Sequence, residues 1–144
     1  MAATRTTEYA VRALVAMQLG SGEDRVWQAA RLAKISGTPP KFLEQVLRLL
    51  RKGGLIRSRR GSGGGYELAR PAEKIMMDEI IRLIDGPAEP VMRSGEAFRV
   101  EWSKLKAEAE NAFLEVMGKE SLAKLVERIR SNRSLAARGS EYQI

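Results

Sequence analysis

Apolar residues recur at helical spacing along most of the chain. Tyr9, Ala10, Ala13, Leu14, Met17 and Leu19 follow Thr6 and Thr7 and predict a first helix with one core-facing side, stopped by Gly20, Ser21 and Gly22. Residues 26–33 predict a short Ala-rich helix, closed by Ser36, Gly37 and Thr38. Pro39 and Pro40 open the next one. Thr38 is placed to cap it, proline is tolerated in a first turn whose amides lack intrahelical partners, and Phe42, Leu43, Val46, Leu47, Leu49 and Leu50 carry the apolar face to Gly53 and Gly54. Two helices around a tight glycine-containing turn make a helix-turn-helix candidate.

The period then changes. Residues 55–59 read as a strand, residues 60–65 are too rich in glycine for anything but a turn, and residues 66–69 alternate like a returning strand. The product is a β-hairpin with arginines at its tip, and a hairpin directly after a helix-turn-helix is a wing. Asp78 is placed to cap a short helix in which Ile80, Ile81 and Ile84 face inward, closed by Gly86 and Pro87. Residues 87–96, with Pro87, Pro90 and Gly95, read as a mobile linker. A long helix over 97–117 carries Phe98, Trp102, Leu105, Ala109, Ala112, Phe113 and Val116 on one side and charges on the other, and a second begins near Ser121 with Leu122, Leu125, Val126 and Ile129.

The expected organisation is mainly α: a winged helix-turn-helix domain over 1–86, a linker over 87–96, dimerisation helices over 97–132 and a polar tail over 133–144. The long apolar stripe fits two arrangements, packing on its own N-terminal domain or pairing with the same helix of a second chain. About 30 Å of helix offers more apolar surface than a small winged unit covers, which favours a homodimer. Trp102 fits a core position, or the wall of a small-molecule pocket between the linker and the wing domain.

Composition removes whole classes of chemistry. The 144 residues contain no cysteine and no histidine, so a disulfide framework, a Cys/His zinc site, a thiolate-held iron–sulfur cluster and His-based catalysis are excluded. The carboxylates are scattered over helix faces, and the glycine run lacks the Lys-Ser/Thr of a phosphate loop and opens a strand rather than a helix. An enzyme is not expected, nor a bound cofactor. No stretch approaches the roughly 20 apolar residues that cross a bilayer, and the expectation is a soluble cytoplasmic protein with no membrane partner.

Charge is distributed unevenly. Residues 1–70 hold 13 basic and 5 acidic side chains, residues 71–144 hold 12 and 13, and the net charge is +7. Between Glu44 and Glu67 lie Arg48, Arg51, Lys52, Arg57, Arg59 and Arg60 with no acid among them. A polyanion is the natural partner, because Lys and Arg gain by releasing counterions condensed on phosphates. A solvated basic face is the plain alternative.

The run Phe42-Leu43-Glu44-Gln45-Val46-Leu47, then Leu49-Leu50-Arg51-Lys52-Gly53-Gly54-Leu55-Ile56, then Ser58, Arg60-Gly61, Gly63-Gly64-Gly65-Tyr66 and Leu68, resembles the signature of the Rrf2 family of bacterial winged-helix transcription regulators. Tyr9-Ala10 with Ala13-Leu14, and Ile80-Ile81 leading to Asp85-Gly86, fit the same pattern. The resemblance implies a homodimer that binds double-stranded DNA at a near-palindromic operator, more readily as a repressor than as an activator. By position it places Pro39, Lys41 and Glu44 at the major groove and Arg60 at the minor groove. Physical chemistry agrees: a carboxylate such as Glu44 accepts from cytosine N4, an arginine on a glycine-rich tip suits a narrow minor groove, and Lys41, Arg57 and Arg59 suit phosphates. For Glu44 the local alternative is a helical pair with Arg48.

Many members of that family sense iron, nitric oxide or redox state through an iron–sulfur cluster held by cysteines in the loop before the long helix. Residues 87–96 contain none. Glu8 occupies a position where an acid ligates the cluster in some relatives, and here reads as a surface or capping residue. The chain resembles the cysteine-free branch, which includes a repressor of cysteine metabolism that responds to a partner enzyme. A regulatory protein or a small molecule is thus the candidate effector. The rival function is a winged-helix protein-interaction or RNA-associated module without operator specificity.

Overall fold

The computed structural model describes residues 3–20 and 25–142. Their elements run α1 (Arg5–Leu19), α2 (Ala29–Ser36), α3 (Pro40–Lys52), β1 (Ile56–Arg59), β2 (Gly65–Leu68), a 3-10 turn (Ala72–Lys74), α4 (Met77–Asp85), α5 (Ala97–Met117) and α6 (Leu122–Tyr142). The two strands pair antiparallel with Ile56 opposite Leu68, Arg57 opposite Glu67, Ser58 opposite Tyr66 and Arg59 opposite Gly65. The winged helix-turn-helix expectation holds. The Ser21 and Gly22 part of the expected stop after α1 lies outside the described residues.

Several boundaries differ from the sequence expectation, each for a local reason. Thr4 caps α1 by accepting from the Thr7 amide, so Thr6 and Thr7 lie inside the helix rather than before it. Asp85, at the far end of α4, accepts from the hydroxyls of Thr4 and Thr7 and closes that cap from outside. α2 begins at Ala29 rather than Val26, because Trp27 is extended and exchanges backbone hydrogen bonds with Tyr66. Thr38 is buried and accepts from Ser36 Oγ instead of capping α3, whose N-cap is Pro39. Asp78 sits in the first turn of α4, where its charge suits the helix dipole, and the cap position is Met76.

The core gathers Leu14 and Met17 of α1, Leu32 of α2, Leu43, Leu47 and Leu50 of α3, Leu55, Ile56, Ile75 and Ile80. Ala10 and Ala13 are wholly buried, and small side chains there let α2 and α3 approach α1 closely. Leu122 and Val126 of α6 belong to the same core, at 0% and 1% exposure. Burying each contributes about 1.5–3 kcal/mol. The joint is reinforced by backbone bonds from the Met77 amide to the Glu120 carbonyl and from the Leu122 amide to the Ile75 carbonyl.

That arrangement corrects the picture of C-terminal helices detached by a mobile linker. α5 runs back toward the winged domain: Leu114 near its C-terminal end is buried, Met117 packs against the core and Gly118 lies beside Asp78 of α4, and α6 then continues along the domain. Residues 87–96 have no regular structure, yet Glu89 pairs with Lys106 at 2.9 Å and the Met92 amide donates to Ser103 Oγ at 3.0 Å, which lays the segment along α5. The tail expected from residue 133 continues α6 to Tyr142. Phe98, Trp102, Leu105 and Val116 are all more than half exposed, so Trp102 is not a core residue; it stacks on Phe98 with centroids 6.2 Å apart.

Candidate nucleic-acid interface

α3 buries Leu43, Val46, Leu47 and Leu50, and that spacing turns Lys41, Glu44, Gln45, Arg48 and Arg51 to solvent. Pro39 and Pro40 fix the backbone where the helix begins, and Pro39 is exposed beside it. Pro39, Lys41 and Glu44 therefore stand together on the open start of α3. Lys41 and Glu44, three positions apart, are neighbours on the helix surface. Among the described residues no hydrogen bond or ion pair joins Glu44 to Arg48, which leaves the carboxylate available to a partner. Phe42 packs on Tyr9 at 5.4 Å between centroids and ties the start of α3 to α1.

The wing gathers the remaining candidates. Arg57 and Arg59 are two residues apart on β1 and share one face of the hairpin. Glu67 stands on the same face, directly across from Arg57, and its Oε1 accepts from Arg57 Nε at 2.6 Å and from Arg59 Nε at 3.0 Å. Glu67 is only 5% exposed. Both arginine side chains are mostly exposed, so the carboxylate lies beneath two solvent-facing guanidinium groups. The hydrogen bond from Arg57 is the main cause that holds the Glu67 carboxyl below the usual glutamate range; burial pushes the other way, and the bond from Arg59 and both positive charges outweigh it. Arg57 and Glu67 border a recess of about 540 Å³ shared with Arg25, Arg70 and Glu73.

Arg60 behaves differently. It begins the turn, is exposed, and has no hydrogen-bond or ion-pair partner among the described residues. Gly61 beside it has φ +105°, a conformation that favours glycine. One pair back from the turn, Arg51 Nη1 lies 3.5 Å from Ser58 Oγ, linking the close of α3 to β1. The structure thus forms two groups, Pro39, Lys41 and Glu44 on α3 and Arg57, Arg59 and Arg60 on the wing. Glu67 is the residue that sequence reasoning missed. The hairpin register offered the signal, since residues facing each other across a short turn pair in charge.

A separate feature lies between α1, α2 and α6: an apolar groove of about 840 Å³, lined by Val11, Val15, Leu19, Ile35, Leu125 and Ile129 among others. Trp102 is not among the residues that line it.

A family model described as "Rrf2: Iron-dependent Transcriptional regulator" matches residues 3–128. A protein of Mycobacterium tuberculosis named as an HTH-type transcriptional regulator is 44% identical over 88 residues, covering 61% of this chain and 54% of that protein. Among solved structures, T. potens IscR superposes with a TM-score of 0.72 at 26% identity over 90% of this chain and 88% of that one. Staphylococcus aureus CymR superposes with a TM-score of 0.69 at 29% identity over 86% and 97%. The chain spans about half the length of the curated relatives it matches.

The family description raises iron, and the donor set can be tested against it. The loop before α5 offers no thiolate or imidazole; of its carboxylates, Glu89 is held by Lys106, while Glu8 on α1 is held by Arg12 at 2.8 Å. No group of three or more metal-ligating side chains converges among the described residues. These residues do not fit an iron centre.

Proposed function

Because the chain belongs to the Rrf2 family of transcriptional regulators, we propose that it is a sequence-specific DNA-binding regulator that grips a near-palindromic operator as a homodimer and represses transcription. The observation that carries this reading is the pairing of an open, proline-started α3 with an arginine wing on the cationic half of the chain. α3 enters the major groove, where Pro39 and Lys41 set the approach and Glu44 accepts from cytosine N4. Arg60 reaches the minor groove, and Arg57 and Arg59 hold phosphates. The assembly acts in the cytoplasm, where bound operator obstructs polymerase.

Two apolar surfaces support the homodimer. Phe98, Trp102 and Leu105 form an exposed stripe on α5, and the groove between α1, α2 and α6 has the chemistry to receive such a stripe from a second copy. Exchange of stripe and groove between two copies closes with two-fold symmetry, as a palindromic site requires. The signal that turns the regulator on or off is a regulatory protein or a small molecule rather than a loop-bound cluster.

Selection of bound fragments from genomic DNA, followed by salt titration on a recovered site, tests the reading. Affinity should fall on log–log axes with a slope near −0.9 per phosphate neutralised, and the sites should show half-site symmetry. A flat salt response, or equal affinity for all sequences, overturns operator recognition and returns the chain to an interaction or RNA-associated module.

A further inference from the structure

The wing hides an acid where a polyanion reader has no evident use for one. Glu67 is the single acidic side chain between Glu44 and Glu73, and β2 places it under the two arginines that face solvent. A guanidinium has two edges that can take a carboxylate or a phosphate: one uses Nε and a terminal nitrogen, the other uses both terminal nitrogens. Glu67 Oε1 takes the Nε–H of Arg57 and of Arg59, so each Nε is occupied from below. Among the described residues the terminal nitrogens of both side chains have no hydrogen-bond partner in the protein. Gly65, opposite Arg59, has no side chain, which leaves the diagonal path from Arg59 to Glu67 clear.

We propose that Glu67 is a positioning residue for nucleic-acid binding: it locks Arg57 and Arg59 into a two-pronged fork whose outer edges face the phosphate backbone. The inference rests on the DNA-binding reading above and deepens it. Two forces oppose each other. The negative charge subtracts from the field that attracts DNA, while ordering two long side chains in advance removes entropy that binding would otherwise lose. The outer edges of two pre-aimed arginines make forked contacts that freely rotating ones make less often, so the ordering effect dominates.

The test is Glu67→Gln, which keeps shape and removes the charge. Operator affinity should fall about tenfold although the protein gains a unit of positive charge; thermal melting and gel filtration check that fold and assembly persist. On an Arg57→Ala/Arg59→Ala background the same change should have no further effect, because Glu67 acts through those side chains. Arg57→Lys/Arg59→Lys keeps every charge but has no fork, and should also lose about tenfold, which preserves the test if Glu67→Gln fails to fold. Equal or tighter binding by Glu67→Gln, full affinity of the lysine variant, or an undiminished effect on the alanine background overturns the proposal. Failure of the wild-type protein to bind duplex DNA would instead sink the DNA-binding reading itself.

Discussion

Trp27 and Tyr66 exchange two backbone hydrogen bonds, at 2.7 and 2.8 Å, so the segment that leads into α2 is bonded to the returning strand of the wing. The wing is consequently anchored on both sides, by β1 and by the approach to the helix-turn-helix. Gly65, next to Tyr66, makes the close approach feasible: a Cβ there would lie 2.3 Å from the Trp27 carbonyl oxygen, at a φ of +155°. Gly65→Ala should destabilise the protein by about 1–3 kcal/mol and weaken DNA binding by loosening the hairpin. Urea denaturation checks the first effect; an unchanged midpoint would mean that the strands shift apart at no expense.

Asp85 closes the start of α1 from the end of α4, with Thr7 Oγ1 donating to it at 2.7 Å. Asp85→Ala leaves Thr7, 1% exposed, without that partner and should lower stability by about 1–2 kcal/mol. A thermal midpoint within a degree of wild type would show that Thr4 alone suffices as a cap.

The winged fold was legible because each of its elements follows a local rule. The prolines opening α3, the glycines at the hairpin turn and the apolar period of α1 all act within a few residues. The misplacements are long-range. Nothing near Thr7 announces Asp85, and nothing in residues 26–28 announces that Trp27 will pair with Tyr66 in place of starting a helix. α6 reads as an amphipathic helix whether its apolar side meets its own domain or another chain, so periodicity could not tell that Leu122 and Val126 turn inward. At the interface, the charge run was visible residue by residue, while the Glu67 clamp exists only after the hairpin has set its register.

The acid limb of stability should carry the signature of that clamp. Arg57 and Arg59 hold the folded Glu67 carboxyl below its ordinary value of 4.5. The folded state therefore binds fewer protons than the unfolded chain, and this contribution is fully present above about pH 4.5 and is lost as pH falls through the lower, folded value. Wild type should lose stability in that window more steeply than Glu67→Gln. Denaturation midpoints from pH 7 to pH 3 check this, and parallel curves would mean the ion pairs add nothing.

Phe98→Ser/Trp102→Ser removes apolar surface from α5 without touching the core, since the two side chains are 68% and 51% exposed. Sedimentation should show the mass falling from two chains to one, with the monomer's melting temperature little changed. A dimer of undiminished strength would locate self-association elsewhere.

Arg60→Ala should weaken binding most at sites with A·T-rich flanks, where a narrow minor groove concentrates negative potential. Equal loss on every sequence in competition assays would reduce Arg60 to a phosphate contact.

The backbone seam between Met76 and Ser121 and the buried Leu122 leave little play between α6 and the winged domain. In a two-fold assembly each reading head is then fastened to its spacer as the jaw of a caliper is fastened to its beam. On the proposed reading such a regulator would measure distance as well as bases: inserting one base pair between half-sites would both lengthen the span and rotate one half-site around the duplex, and a stiff gauge has no slack to follow it.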